Sequence, residues 1–261
     1  MSDFAIENTP SSKPVGRTRA IDALVLLVLM VVLWQAIGSW TSGIAVSTPL
    51  KTLAYLADLV GTSMFWDHAA ATVGAFLLAF ALSAVIGLLL GLVLGLQRFA
   101  GDVAEPILAG FYTIPKVTLY PVVLLIFGLG MSAKVAFGIM HGLVPVTLFT
   151  IGAVRNLSPV LMRLSKVLRL SPARTMRWVL VPACLPDIIN GLRIGFSLSL
   201  LGVIIGEMFS SQRGLGFLLV NGMAQHNVPL STAVVFVIVV FAIAANTLML
   251  RLGRRITHRS S

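Results

Sequence analysis

Residues 155–208 read RNLSPVLMRLSKVLRLSPARTMRWVLVPACLPDIINGLRIGFSLSLLGVIIGEM. The first part, to Arg177, carries six basic residues (Arg155, Arg163, Lys166, Arg169, Arg174 and Arg177) and no acid. From Leu185 the chain turns apolar for long enough to cross a bilayer, as does the stretch just before Arg155. A short loop rich in lysine and arginine between two spans is held on the cytoplasmic side. Leu157, Val160, Leu161, Leu164 and Leu168 recur within it at helical spacing, so one face is apolar and the other basic. A helix of that kind outside the hydrocarbon must dock on lipid headgroups or on a soluble partner.

Working outward, composition agrees with a membrane-embedded chain. Of 261 residues, 57% are hydrophobic and 11% charged, with mean hydropathy +0.98, which excludes an ordinary soluble domain. Apolar runs predict six spans: Ala20–Ile37, Ala69–Leu96, Ile107–Leu129, Ala133–Val154, Leu185–Met208 and Leu230–Leu250. Pro115, Lys116 and Pro121 interrupt the third. Segments 1–20, 97–105, 155–178 and 251–261 hold 14 of the 19 lysines and arginines, so both termini are expected in the cytoplasm. The predicted organisation is a tail at 1–19, a transmembrane domain at 20–250 and a basic tail at 251–261. Within the domain lie an external segment, 40–68, and a cytoplasmic loop, 155–182. The net charge of +10 lies beside the spans, where it sets topology and meets lipid, so nucleic acid is not an expected partner. Cys184 is the single cysteine, which excludes an internal disulfide or thiolate cluster. The first apolar run, flanked by Trp34 and Trp40, reads as a retained anchor rather than a cleaved signal.

Two packing signals stand out. Thr48-Pro49 starts a predicted amphipathic helix on the outer surface, with Leu50, Leu53, Leu56, Ala57 and Val60 as its apolar face and Gly61 as its stop. Gly87, Gly91 and Gly95 repeat every four residues, so a second helix can approach closely there, although the stripe does not say which. Signals for catalysis are missing. His68, His141, His226 and His258 lack metal-ligand spacing, and no nucleophile elbow or phosphate loop occurs. No cluster of polar groups at one depth is visible along the chain. Polar residues in or near the spans are therefore candidates for a solute path: Tyr112, Lys116, His141, Asn190, Arg193 and Glu207. Each has a structural alternative. Arg193 can snorkel or pair with Asp187, and Glu207 can line an outer gate or pair with Arg213.

Three stretches carry a resemblance. They are Ile114-Pro115-Lys116 through Tyr120-Pro121 to Phe127-Gly128-Leu129-Gly130; Val179-Leu180-Val181-Pro182 with Leu185-Pro186; and Gly191-Leu192-Arg193, then Glu207-Met208, then Gly214-Leu215-Gly216. In order and spacing they resemble a membrane permease subunit of a type I ABC importer, of the nitrate/sulfonate/taurine branch. The resemblance implies an all-α integral membrane fold with six transmembrane helices and cytoplasmic coupling helices between the fourth and fifth. It places the chain in a bacterial inner membrane. It implies two ABC ATPase subunits, a second permease copy or paralogue, an external solute-binding protein and lipid as partners. This chain would bind no cofactor and catalyse nothing, with ATP on the partner subunits.

The family's loop motif, EAA-x3-G-x9-I-x-LP, aligned on Pro182, puts Arg163, Leu164 and Ser165 at the EAA positions, Arg169 at the glycine and Val181 at the leucine. Together with Leu168 these residues are the predicted ATPase-coupling surface. The acid and the glycine are absent. Arg169 is therefore expected to turn differently from a glycine, or to pass the turn to Ser171-Pro172. The solute implied is a small anionic or zwitterionic compound. A secondary transporter and a non-transporting scaffold are the competing readings.

Overall fold

The computed structural model describes residues 15–257; the ends of both predicted tails lie outside them. The first helix, α1 (Val15–Trp40), is followed by α2 (Pro49–Val60), α3 (Ser63–Leu96) and α4 (Arg98–Thr113). A tight turn at Lys116–Leu119 leads to α5 (Tyr120–Phe127) and α6 (Met131–Arg155). Next come α7 (Pro159–Val167), the single turn α8 (Pro172–Thr175) and a widened turn at Met176–Leu180. The chain ends in α9 (Val181–Ser210), α10 (Leu215–Ala224) and α11 (Val228–Thr257). No strand occurs among the described residues, so the fold is all-α.

Helices α1, α3, α6, α9 and α11 are each long and apolar enough to span a bilayer. The third expected span differs. Where one helix was predicted over Ile107–Leu129, α4 and the α5 segment meet at 89° and make a sixth crossing only if the bent pair counts as one. The cause is local. Pro115 cannot donate to a continuing helix, and it pushes Ile114 into an extended conformation with ψ 132°. A second break follows α5. Gly128 (φ 72°) and Gly130 (φ 122°) take backbone angles that side chains disfavour, so the FGLG stretch is a reversal into α6.

Helices α3, α6 and α9 form the core, and α6 lies between the other two. The glycine stripe finds its neighbour here. A Cβ on Gly87, Gly91 or Gly95 would lie 2.9, 2.4 or 2.8 Å from the Cβ of Val146, Thr150 or Val154 of α6. The opposite face of α6 meets α9 in the same way, Gly138 and Gly142 against Val203 and Ser199. Backbones this close gain dispersion contacts that larger residues would forbid. Helix α1, by contrast, leaves Leu24 to Val32 facing outward, as a lipid-embedded anchor does.

The outer helix α2 runs between Thr48 and Gly61, but its packed face is not the one expected. Thr52 and Leu59 are buried, with Tyr55 and Leu56 against Leu218, Leu230 and Val234. Leu50, at 78% exposure, and Leu53 point away. The helix has two apolar faces. Pattern alone favoured the more hydrophobic one, whereas packing against α10 and α11 selected the other.

Candidate functional site

At the end of the bundle holding the α9–α10 connection, three helices converge on Glu207, which is fully buried (0% exposed). Thr72 Oγ1 of α3 donates to Glu207 Oε2 at 2.8 Å, and the Gly216 N–H donates to the same oxygen at 3.0 Å. Lys134 Nζ of α6 lies 3.6 Å from Oε1, an ion pair without a hydrogen bond. The same ammonium donates to the Arg213 carbonyl. The Leu215 N–H donates to Thr72 Oγ1 and the Gly214 N–H to His68 Nδ1. The spacing of Glu207 and Gly214-Leu215-Gly216 thereby acquires a physical meaning. Gly214 sits at φ 125°, and a Cβ there would fall 2.1 Å from the carboxyl carbon of Glu207. Leu215 plugs the cluster of Leu59, Phe65 and Leu218. The connection is thus folded down over a buried carboxylate.

This cluster is the polar group at one depth that reading along the chain does not reveal. Thr72 and Glu207 are 135 residues apart in sequence, and His68, Thr72 and Lys134 were not among the candidates. Glu207 pairs with Lys134; Arg213 contributes only its carbonyl. A carboxylate with no exposed surface holds helices together and is closed to solute in this conformation.

The other path candidates lie apart from it. Lys116 is buried at the α4–α5 bend, donates to the Tyr112 carbonyl at 3.1 Å and stands 4.8 Å from the Tyr112 ring centroid. His141 is buried in α6, where Nδ1 lies 2.9 Å from the Phe137 carbonyl and the ring packs over Gly202 of α9. Asn190 is exposed. Arg193 Nε donates to Asn246 Oδ1 of α11 at 3.1 Å, rather than pairing with Asp187. The six residues divide between the bend, the α6–α9 seam and the two ends of α9.

At the opposite, basic end, Arg155 closes the last turn of α6 on the α3–α4 corner. It pairs with Asp102 at 2.8 Å and Glu105 at 2.9 Å and donates to the Arg98 carbonyl. Beyond it, Ser158 caps α7 by accepting from the Val160 N–H. Ser165 is buried, whereas Arg163, Leu164, Leu168 and Arg169 are exposed. Val181 is exposed and Pro182 half-buried at the start of α9. The turn after α7 departs from expectation. Arg169 does not avoid the glycine conformation but adopts it, at φ 47°. Leu170 N–H donates to the Ser165 carbonyl and Arg169 N–H to the Lys166 carbonyl, the two bonds of a Schellman ending. These bonds satisfy the last carbonyls of α7 and offset the steric cost of a side chain at that position.

The comparisons with known proteins follow this geometry. The family described as "binding-protein-dependent transport system inner membrane component" matches residues 83–261. The riboflavin transport system permease protein RibX of Chloroflexus aurantiacus is 32% identical over 214 residues, 81% of this chain and 80% of its own. The taurine transport system permease protein TauC of Escherichia coli is 26% identical over 250 residues, 94% of this chain and 91% of its own. An inward-facing structure of the MetNI methionine ABC transporter covers 76% of this chain and 98% of its own, with TM-score 0.57 at 19% identity, a likeness of fold. This chain belongs to the family of binding-protein-dependent inner-membrane components, the permease subunits of type I ABC importers.

Proposed function

We propose that the chain lines half of a solute path and that residues 155–182 transmit the closure of two ATPase subunits to it. The observation that carries this reading is the exposed apolar stripe of Val160, Leu164 and Leu168, next to basic side chains and uncovered by the described residues. Apolar surface displayed that way outside the spans gains most by docking into a groove. ATP-driven closure need only favour one packing of the bundle over another by about 5 kcal/mol to switch its population. The α3–α6–α9 core, held by close glycine contacts, moves as a rigid lever. ATP sits on the partner subunits, and this chain binds no cofactor and makes or breaks no bond. Both termini face the cytoplasm, a second permease completes the path, and an external binding protein loads it. Family membership does not favour a secondary transporter or a scaffold.

The test is capture of the ATPase subunit by the Leu164→Asp/Leu168→Asp variant. Both side chains are exposed, so the variant should fold and melt as wild type, within about 0.5 kcal/mol. Its ATPase capture should fall at least tenfold. Wild-type capture would remove the coupling role.

For the solute, the names of relatives that carry taurine and sulfonates support a small zwitterion or anion. Lys116 and Arg193, span cations that lack the carboxylate partner Lys134 has among the described residues, would favour it. In reconstituted importers, Lys116→Met and Arg193→Met should lower anion uptake while basal ATPase activity persists. Unchanged uptake in both would make these cations structural.

A further inference from the structure

A chamber of about 760 Å³ opens at the basic end, between the α3–α4 corner, the end of α6 and α7. Its polar wall is Arg98, Asp102, Arg155 and Arg163. A narrow apolar cleft of about 30 Å³ shares Leu96, Val154, Leu157 and Leu180 with the chamber and ends against Leu92, Cys184 and Ile188. Asp102 and Glu105 are both engaged by Arg155. Arg98 and Arg163 have no ion pair among the described residues. Arg155 Nε is buried without an acceptor. The wall therefore keeps positive charge and an unused donor. Beside the cleft, Leu89, Val93 and Leu96 stand exposed on α3.

We propose that the chamber binds one anionic phospholipid, with the phosphate against Arg98 and Arg163 and an acyl chain lying over the mouth of the cleft and the exposed row of Leu89, Val93 and Leu96. The site rests on the reading of the basic end as the cytoplasmic leaflet. Basic pockets between spans suit acidic headgroups, and guanidinium groups match pairs of phosphate oxygens. The exposed row on α3 supplies what a free anion cannot use, apolar surface for a chain to cover. The row of Leu89, Val93 and Leu96 runs along α3, a helix long and apolar enough to span a bilayer, where a soluble partner has no access. The occupant chosen is therefore lipid and not a segment of the ATPase.

The experiment is native mass spectrometry of the purified importer, permease with ATPase, titrated with dioleoylphosphatidylglycerol or dioleoylphosphatidylcholine. Wild type should retain one phosphatidylglycerol per permease in preference to phosphatidylcholine. Arg98→Gln should lower that preference about five-fold, and Arg98→Gln/Arg163→Gln about twenty-five-fold. A phosphatidylglycerol with a photoreactive acyl chain should label the peptides holding Leu96 and Leu157. Millimolar glycerophosphoglycerol, the soluble headgroup, should not compete. An unchanged preference in both variants would overturn the proposal. So would labelling spread evenly over α1 and α5, full competition by the soluble headgroup, or labelling of free permease that vanishes in the complex. ATPase retention is scored in the same samples with Arg98→Gln, which lies outside the coupling loop, so failure of coupling reads separately from failure of lipid binding.

Discussion

At one end of the bundle, Glu207 is fully buried and tied to α3, α6 and the α9–α10 connection. At the other, Val167 and Trp178 are 77% and 71% exposed, and a left-handed arginine turns the chain between two short helices. The first end is overdetermined: each partner of Glu207 is itself held by another element. The second is completed only in part by its own chain. Local stability follows the density of buried contacts. On the function proposed above, the Glu207 end would be the fixed end of the lever and the α7–α8 loop the end that a partner shapes.

The largest effect expected is at the fixed end. Glu207→Ala leaves Lys134 buried without its counter-charge and strips an acceptor from Thr72 and Gly216. It should cost about 3–5 kcal/mol, read as loss of monodisperse protein and a lower melting temperature in detergent. Glu207→Gln keeps the shape and should cost less, and Lys134→Met added to Glu207→Gln should recover stability. If the double variant is no better than the single, shape and not charge holds this end. A middle-sized effect is expected in the core between the ends. Gly91→Val drives a branched side chain into Thr150 and should cost about 1–3 kcal/mol, whereas Leu90→Val on the exposed side of the same helix should cost about 0.5 kcal/mol or less. Equal melting temperatures for the two would mean that α3 and α6 are not locked together. The smallest effect is at the adaptable end. Arg169→Gly relieves a left-handed side chain and should stabilise the turn by about 1 kcal/mol. Amide exchange at Arg169 and Leu170 should slow about five-fold. Faster exchange would show that the turn does not rest on that conformation.

The basic loop and the buried carboxylate were not equally legible. Loop residues 155–182 show their character in a contiguous run, through charge and helical spacing, so Leu164 and Leu168 could be singled out by reading forward. Glu207 could be singled out only as an intramembrane acid. Its partners Thr72 and Lys134 look unremarkable along the chain, because their spacing follows no local period. Even so, Glu207 and the Gly214-Leu215-Gly216 stretch that covers it were both visible as a motif before their contact was.

Sequence by itself determined the class of this protein, five of its spanning helices and the basic character of one end. Those properties follow from local quantities: apolar runs against the thickness of hydrocarbon, proline and glycine at helix ends, and the placing of lysine and arginine. Tertiary structure alone decided which helix answers the Gly87-Gly91-Gly95 stripe, which face of α2 is packed, where the third span bends by 89°, and which cation meets Glu207. Each of these depends on the competition between several chemically acceptable partners. That competition is settled by shape and distance among residues far apart in the chain.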